Sequence, residues 1–311
     1  MAAPLSYRER LARKMPRVSK FLRQGIRVVA GGRRPATRVV FVVGSQRSGT
    51  RLPLQILDGA PEVMTYSEGT APYFDRVLLK PLPEIERLLT RSLFPVVALK
   101  PICETHRINE LLDHFPDARG IWIFRDYRDA TNSASAKWKS GKEAVRRLAA
   151  GELDAAGWRA GGLTTEKLQL VRRLYSDSMS LHAANAVMWF LRNDLFFDLG
   201  AFKRSDLVLV RYEDLVTDPR RHFLPVLDRI DVAERPELFR FIYASSVRRR
   251  PFPEAPAEIQ ALCEEAHARL LAHHQAASGG SLQRSTDADA KTVHEADLLQ
   301  VGAGPGSSRD D

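Results

Sequence analysis

Seven consecutive residues, Gly44-Ser45-Gln46-Arg47-Ser48-Gly49-Thr50, have the composition of a phosphate-binding turn. They follow an apolar run at 38–43 (RVVFVV) and precede a helical pattern. A glycine-bearing turn in that position aims backbone N–H groups at an anion, and the dipole of the next helix adds to the attraction. Pro53 is tolerated in the first helical turn, where its missing N–H is not needed. The spacing of Gly44 and Gly49 matches an ATP-binding loop, but Thr50 stands where such a loop places the lysine that reaches the β- and γ-phosphates. The cation lies inside the loop instead, at Arg47. This pattern predicts a nucleotide-phosphate site of altered chemistry. A strand–turn–helix with no ligand is the alternative.

A second anchor follows the apolar run 121–124. Arg125 falls at the carboxyl end of that strand, where open α/β sheets bind ligands. Ser133 comes eight residues later, about two turns into the next helix. An arginine fork and a hydroxyl so placed can hold one phosphate between them. Taken alone, Arg125 with Asp126 and Asp129 would also make an ordinary surface ion network.

These groups need a scaffold, and the patterning supplies one. Continuous apolar runs at 38–43, 62–66, 96–100, 120–124 and 207–211 read as strands buried on both faces of a parallel sheet. Helices are expected to begin near Thr50, Glu104, Asp126, Leu181, Pro219, Pro236 and Ala257. The charged segment 139–177 reads as a helical insertion near the mouth of the site. Residues 1–37 form a basic arm and linker. Its part 6–30 is an amphipathic helix with Leu11, Met15, Val18, Leu22, Ile26 and Val29 at three- and four-residue steps, and Pro16 is expected to kink or split it. A linker with Gly31, Gly32 and Pro35 leads to a domain over 38–275. Residues 276–311 have few apolar groups and read as a disordered tail.

Composition excludes several classes. The chain has 311 residues, 44% of them hydrophobic and 27% charged, which is ordinary for a globular protein. The formal charge of +9 is unevenly placed: residues 1–38 carry eleven Lys/Arg and one acid, Glu9, so the other 273 residues are close to neutral. That argues against a broad basic groove for nucleic acid. Cys103 and Cys263 belong to no metal-ligand cluster, which predicts reduced thiols and a cytoplasmic protein. The basic start lacks the apolar core of a secretory signal, and no run is long enough to span a membrane.

Together the motifs resemble those of the sulfotransferase family. Its phosphosulfate loop is matched by Gln46-Arg47-Ser48-Gly49-Thr50, and its strand ending in Arg with Ser eight residues on is matched by Arg125 and Ser133. The run 208–219 (VLVRYEDLVTDP) looks like the family's late strand and turn, and the segment 256–271 looks like its terminal helix. The resemblance covers about 38–275. It implies a P-loop NTPase-like α/β fold, a parallel sheet flanked by helices. It implies that 3'-phosphoadenosine 5'-phosphosulfate is the sulfuryl donor and that Ser45, Gln46, Arg47, Ser48, Gly49, Thr50 and Arg51 hold its phosphosulfate. Arg125 and Ser133 would hold the 3'-phosphate and Tyr212 the adenine, and Arg248, Arg249 and Arg250 lie where members place a late basic contact.

Sulfuryl transfer should follow phosphoryl transfer, with charge building on the leaving oxygen and catalysis resting on positioning and electrostatics. Arg47 is the residue to neutralise that charge, and the scheme needs no metal. One branch of the family has a histidine base two residues after the position of Lys100, but Ile102 stands there. Other branches use a Glu soon after the second strand, which points to Glu68, with His106 in reserve. Lys100 could orient the sulfuryl group or the acceptor; a salt bridge with a nearby acid is the alternative. The expected acceptor is a hydroxyl or amine on a glycan, lipid or small metabolite; the alternatives are a non-catalytic nucleotide-binding or membrane-surface module with this fold, or a degenerate P-loop kinase. The arm either packs on the domain with a solvated basic face or makes a peripheral contact with an anionic membrane.

Overall fold

The computed structural model describes residues 7–32, 34–240, 242, 251 and 255–277, the first ten of these by backbone alone. The expected contacts at Arg248, Arg249 and Arg250, and the tail from residue 278 on, lie outside the described residues. The chain divides into two compact units, 1–267 and 268–311. The sheet and the site belong to the first. Of the second, residues 268–277 are helical.

Five parallel strands make the main sheet. They are β1 (Arg38–Gly44), β2 (Val63–Ser67), β5 (Val96–Lys100), β6 (Arg119–Phe124) and β7 (Leu207–Arg211), in the order β2-β5-β1-β6-β7. A two-stranded hairpin, β3 (Phe74–Asp75) and β4 (Leu78–Leu79), lies between β2 and β5 in sequence. Strand β1 is central because it is apolar throughout: Val39–Val43 have helices on both sides, and an outer strand would leave part of that run wet. On one face Val40, Val42, Ile121 and Ile123 pack with Leu54, Ile56 and Leu57 of α2 (Arg51–Gly59) and with Phe223, Val226 and Leu227 of a later helix, 219–229. On the other, Phe41 meets Phe115, and Trp122 meets Phe196 edge-on at 5.3 Å. This is the parallel sheet that the runs predict, in the P-loop-type α/β arrangement that the resemblance implies.

Register places the chemistry. Ser67 pairs with Lys100, Gly44 with Ile123, and Phe124 with Arg211. The carboxyl ends of all five strands therefore share one edge. Glu68, Lys100, Ser45, Arg125 and Tyr212 each stand at or one residue beyond a strand end on that edge.

Helices α3 (Leu82–Thr90) and α4 (Ile108–His114) precede and follow β5. The helix expected from Glu104 starts four residues later. Residues 102–107 form a 3-10 turn instead, because Thr105 Oγ1 bonds to the carbonyls of Ile102 and Gly44, and the Glu104 carboxylate receives the Leu79 N–H. After β6 comes α5 (Tyr127–Lys137), capped by Asp126, whose side chain accepts from Arg128 N at 2.8 Å. Helices α6 (Gly141–Ala150), α7 (Leu153–Ala156) and α8 (Thr165–Leu174) occupy the 139–177 segment. The buried α9 (Leu181–Asp198) packs against α5 and α6. The helix expected from Pro236 is a single 3-10 turn, Pro236–Phe239, pinned to the core by buried Leu238 and Phe239.

The arm is one helix, α1 (Tyr7–Gly31), and Pro16 does not split it. A proline removes one backbone bond. The helix beyond it is clamped from outside. Arg17 donates to the Thr65 carbonyl at 2.9 Å, Gln24 to the Pro61 carbonyl at 2.8 Å, and the buried Lys20 ammonium to the carbonyls of Asp58 and Val63. It docks through these polar side chains and through Phe21, edge-on to Phe94 at 5.0 Å, while Val18, Leu22, Ile26 and Val29 stay exposed.

Candidate active site

The loop after β1 turns twice through the left-handed region, at Arg47 (φ 68°) and Gly49 (φ 85°). For an arginine this conformation costs about 1–2 kcal/mol. The cost is offset by what Arg47 reaches: its Nε and Nη2 both donate to Ser133 Oγ on α5, at 2.9 and 2.8 Å. The guanidinium lies 5.5 Å from the centre of the Trp138 ring. Among the described residues no carboxylate pairs with Arg47. Its pKa is lowered by burial first and by the charge of Arg125 second. Two cations held close at a phosphate-type loop form a site that an anion relieves.

Arg125 is buried at the end of β6, with its guanidinium 4.5 Å over the Tyr212 ring and Nη2 3.4 Å from Asp129 Oδ2. Its carbonyl accepts from Trp189 Nε1 at 3.2 Å. The loop explains Gly49: a Cβ there would sit 2.1 Å from a ring carbon of Tyr212. Gly49→Ala is therefore expected to push Tyr212 off Arg125 and to strain a positive φ as well. The combined cost is about 1–3 kcal/mol. A drop in thermal midpoint, read by calorimetry, would show it; an unchanged midpoint would refute it.

The β2 and β5 side holds a second pair. Lys100 Nζ lies 2.5 Å from Glu68 Oε2, and the Ile102 N–H donates to Glu68 Oε1 at 2.7 Å. Two of the three catalytic residues expected from sequence are thus partners, and the acid that pairs with Lys100 is Glu68 itself. Both carboxylate oxygens have a donor, and each retains a lone pair for an incoming hydroxyl.

A cavity of about 800 Å³ joins the pieces. Its lining includes Ser45, Gln46, Arg47, Thr50, Arg51, Glu68 and Lys100. Ser48, Gly49, Arg125, Ser133 and Tyr212 stand outside that lining but adjoin it through Arg47. The buried Ser48 hydroxyl has no hydrogen-bond partner, so the loop still has a donor to offer. The buried orphan, the two guanidiniums and the glycine-bearing turn all fit a phosphate group. The sequence reading missed Arg17, Trp138, Trp158, Arg159 and Trp189, which also line the cavity. Their only signal was lying in the arm, at the end of α5, in the insertion or on a buried helix.

His106 does not line the cavity. It packs beneath Gly161 and Gly162, its Nδ1 is buried without a partner, and burial followed by the Arg192 charge pushes its pKa down to about 4. This makes it a poor base and a pH liability. A histidine held neutral by the fold stabilises it fully above the unfolded value near 6.5, and the contribution is lost as pH falls toward about 4. Urea midpoints should decline over that window and decline less steeply in His106→Gln. Equal slopes would contradict the assignment.

No family model matches the chain. No curated protein matches it either. Solved structures do. The sulfotransferase domain of the Synechococcus PCC 7002 olefin synthase is 17% identical, covering 75% of this chain and 95% of its own, with a TM-score of 0.46. The sulfotransferase domain from the curacin biosynthetic pathway is 14% identical, covering 75% and 98%, at 0.47. A sulfotransferase from Alicyclobacillus acidocaldarius is 16% identical, covering 79% and 96%, at 0.40. The likeness is to the sulfotransferase fold. What this chain's own site does is argued below from its residues.

Proposed function

We propose that the protein is a sulfotransferase that takes a sulfuryl group from 3'-phosphoadenosine 5'-phosphosulfate. The observation that carries this reading is the bridge from Arg47 to Ser133, which ties the loop after β1 to α5 next to Arg125. It sets two phosphate-type sites side by side, as a nucleotide with phosphates on both its 5' and 3' positions requires. Residues 45–51 would hold the 5' end. Arg125 and Ser133 would hold the 3'-phosphate, with the Ser133 proton free to donate while its oxygen accepts from Arg47. Tyr212 would stack against the base.

The bound donor supplies an activated sulfuryl group on a phosphate leaving group. The chain's own contribution is positional and electrostatic. Arg47 neutralises charge on the leaving phosphate oxygen. Glu68 accepts the proton of the acceptor hydroxyl, and Lys100 holds that carboxylate toward the cavity. The acceptor enters from the β2 and β5 side, because the nucleotide contacts gather on the β6 and β7 side.

Calorimetric titration with 3'-phosphoadenosine 5'-phosphate, against adenosine 5'-phosphate, tests the reading. Loss of the 3'-phosphate should weaken binding about ten- to a hundredfold, the worth of a charge-assisted contact. Arg125→Ala should erase that difference. Absence of binding by folded protein would sink the proposal. Binding without transfer of labelled sulfuryl to any hydroxyl or amine acceptor would leave a nucleotide-binding module.

A further inference from the structure

The cavity carries more positive charge than a nucleotide site on the β6 and β7 side explains. Arg17, Arg47, Arg51, Lys100 and Arg159 line it, against two carboxylates, Asp58 and Glu68. Glu68 is taken by Lys100, and Asp58 by Lys20 and Thr65. Arg159 has no hydrogen-bond or carboxylate partner among the described residues. Its one neighbour of note is Trp158, whose ring centre lies 4.5 Å from the guanidinium.

Arg159 is also on the acceptor side. It sits in a 3-10 turn, Gly157–Arg159, and its field falls on Cys103, three residues past Lys100. The turn is held there by Arg192, which is fully buried on α9. Arg192 Nη1 donates to the Gly161 carbonyl at 3.2 Å, and its guanidinium lies 5.5 Å from the Trp158 ring centre. Burial lowers the pKa of both arginines. A half-buried guanidinium without a counter-charge is costly unless a ligand brings one.

We infer that Arg159 and Trp158 form an anion-reading subsite, so that the acceptor is a hydroxylated ring compound bearing a carboxylate or similar anion. Trp138, Trp158 and Trp189 give the cavity flat apolar walls suited to a ring. The Arg159 fork suits a planar carboxylate. Arg159, Glu68 and Lys100 line the same cavity and all act on the Cys103 thiol, so a ring compound held by its anion at Arg159 shares that part of the cavity with Glu68. The hydroxyl and the word acceptor rest on the sulfotransferase reading, whereas the anion subsite at Arg159 does not.

The test is binding, and it does not need turnover. Para-hydroxybenzoate, para-hydroxyphenylacetate and para-hydroxycinnamate are titrated against their primary amides by calorimetry and by quenching of tryptophan fluorescence. At least one acid should bind about ten- to a hundredfold more tightly than its amide. The preference should vanish in Arg159→Gln and survive in part in Arg159→Lys. Equal binding of acids and amides, no binding of any acid, or a preference unchanged in Arg159→Gln would each overturn the inference. Failure of the nucleotide titration together with an intact acid preference would reject the sulfotransferase reading alone.

A separate observation concerns the arm. Arg17, Lys20 and Gln24 face the domain, so the opposite side of α1 turns Val18, Leu22, Ile26 and Val29 to solvent, at 56%, 63%, 68% and 84% exposure. Exposed Arg23 and Arg27 flank that row, and residues 1–38 carry a net charge of +10. An apolar row flanked by cations matches an anionic bilayer surface. We propose that this face of α1 docks there. Full-length protein should sediment with vesicles of phosphatidylcholine and phosphatidylglycerol, much less with phosphatidylcholine alone, and not at all after Leu22→Asp with Ile26→Asp. No sedimentation, or a soluble dimer that the same substitutions dissociate, would overturn the proposal.

Discussion

Arg47→Ala is expected to lower turnover about a thousandfold. Arg47 is the cation inside the loop, and among the described residues no carboxylate divides its charge. It is held by two bonds to Ser133 and faces the Trp138 ring, so its position is set before any ligand enters. Charge that develops on a leaving oxygen meets a group that need not reorganise. The loss should therefore fall mainly on kcat, measured in single turnovers with saturating donor. Arg47→Lys should recover part of it, since the charge returns without the fork that bonds Ser133. Ser133→Ala should act between the two. An Arg47→Ala enzyme within a few-fold of the parent would remove Arg47 from the chemistry and leave it a structural tie between the loop and α5.

Glu68→Gln should cost about a hundred- to ten-thousandfold in turnover, the range for loss of a general base. The amide keeps the shape of the carboxylate and can still accept from the Ile102 N–H, so the fold should hold. It cannot take a proton from the acceptor. A purely structural Glu68 would predict a different pattern. Breaking the pair leaves Lys100 buried without its counter-charge, which lowers thermal stability but leaves the shape of the pH–rate profile alone. The decisive readout is that profile. Loss of the acidic limb together with unchanged nucleotide affinity assigns the proton transfer to Glu68. An unaltered limb would move the base elsewhere.

The strands and the loop were legible in sequence because their signals are local. A strand buried on both faces must be apolar along its length, as β1 is from Val39 to Val43. A turn at a strand end that closes with Gly49 and opens a helix has few other uses. The eight-residue step from Arg125 to Ser133 runs along α5, which is regular between them and carries Ser133 to Arg47. The helix expected at Glu104 failed because a tertiary contact, Glu104 to the hairpin strand β4, competes with helix propensity there. His106 was a plausible base by position alone. Only packing beneath Gly161 and Gly162 turns it away from the cavity.

By itself the sequence determined which edge of the sheet carries the chemistry, since strand direction and strand ends follow from apolar runs and the turns between them. Tertiary structure alone decided the partners. Glu68 and Lys100 lie 32 positions apart and meet because β2 and β5 pair in register. Arg47 and Ser133, 86 apart, meet because β1 and β6 are neighbours. The same holds for the arm, whose amphipathic pattern marks an apolar row without saying which side docks. Lys20 and Gln24 satisfy the open carbonyls between α2 and β2, and that places the apolar row outward. Periodicity counts residues along one chain, whereas a hydrogen bond across the fold depends on which backbone groups two distant segments leave unpaired when they meet.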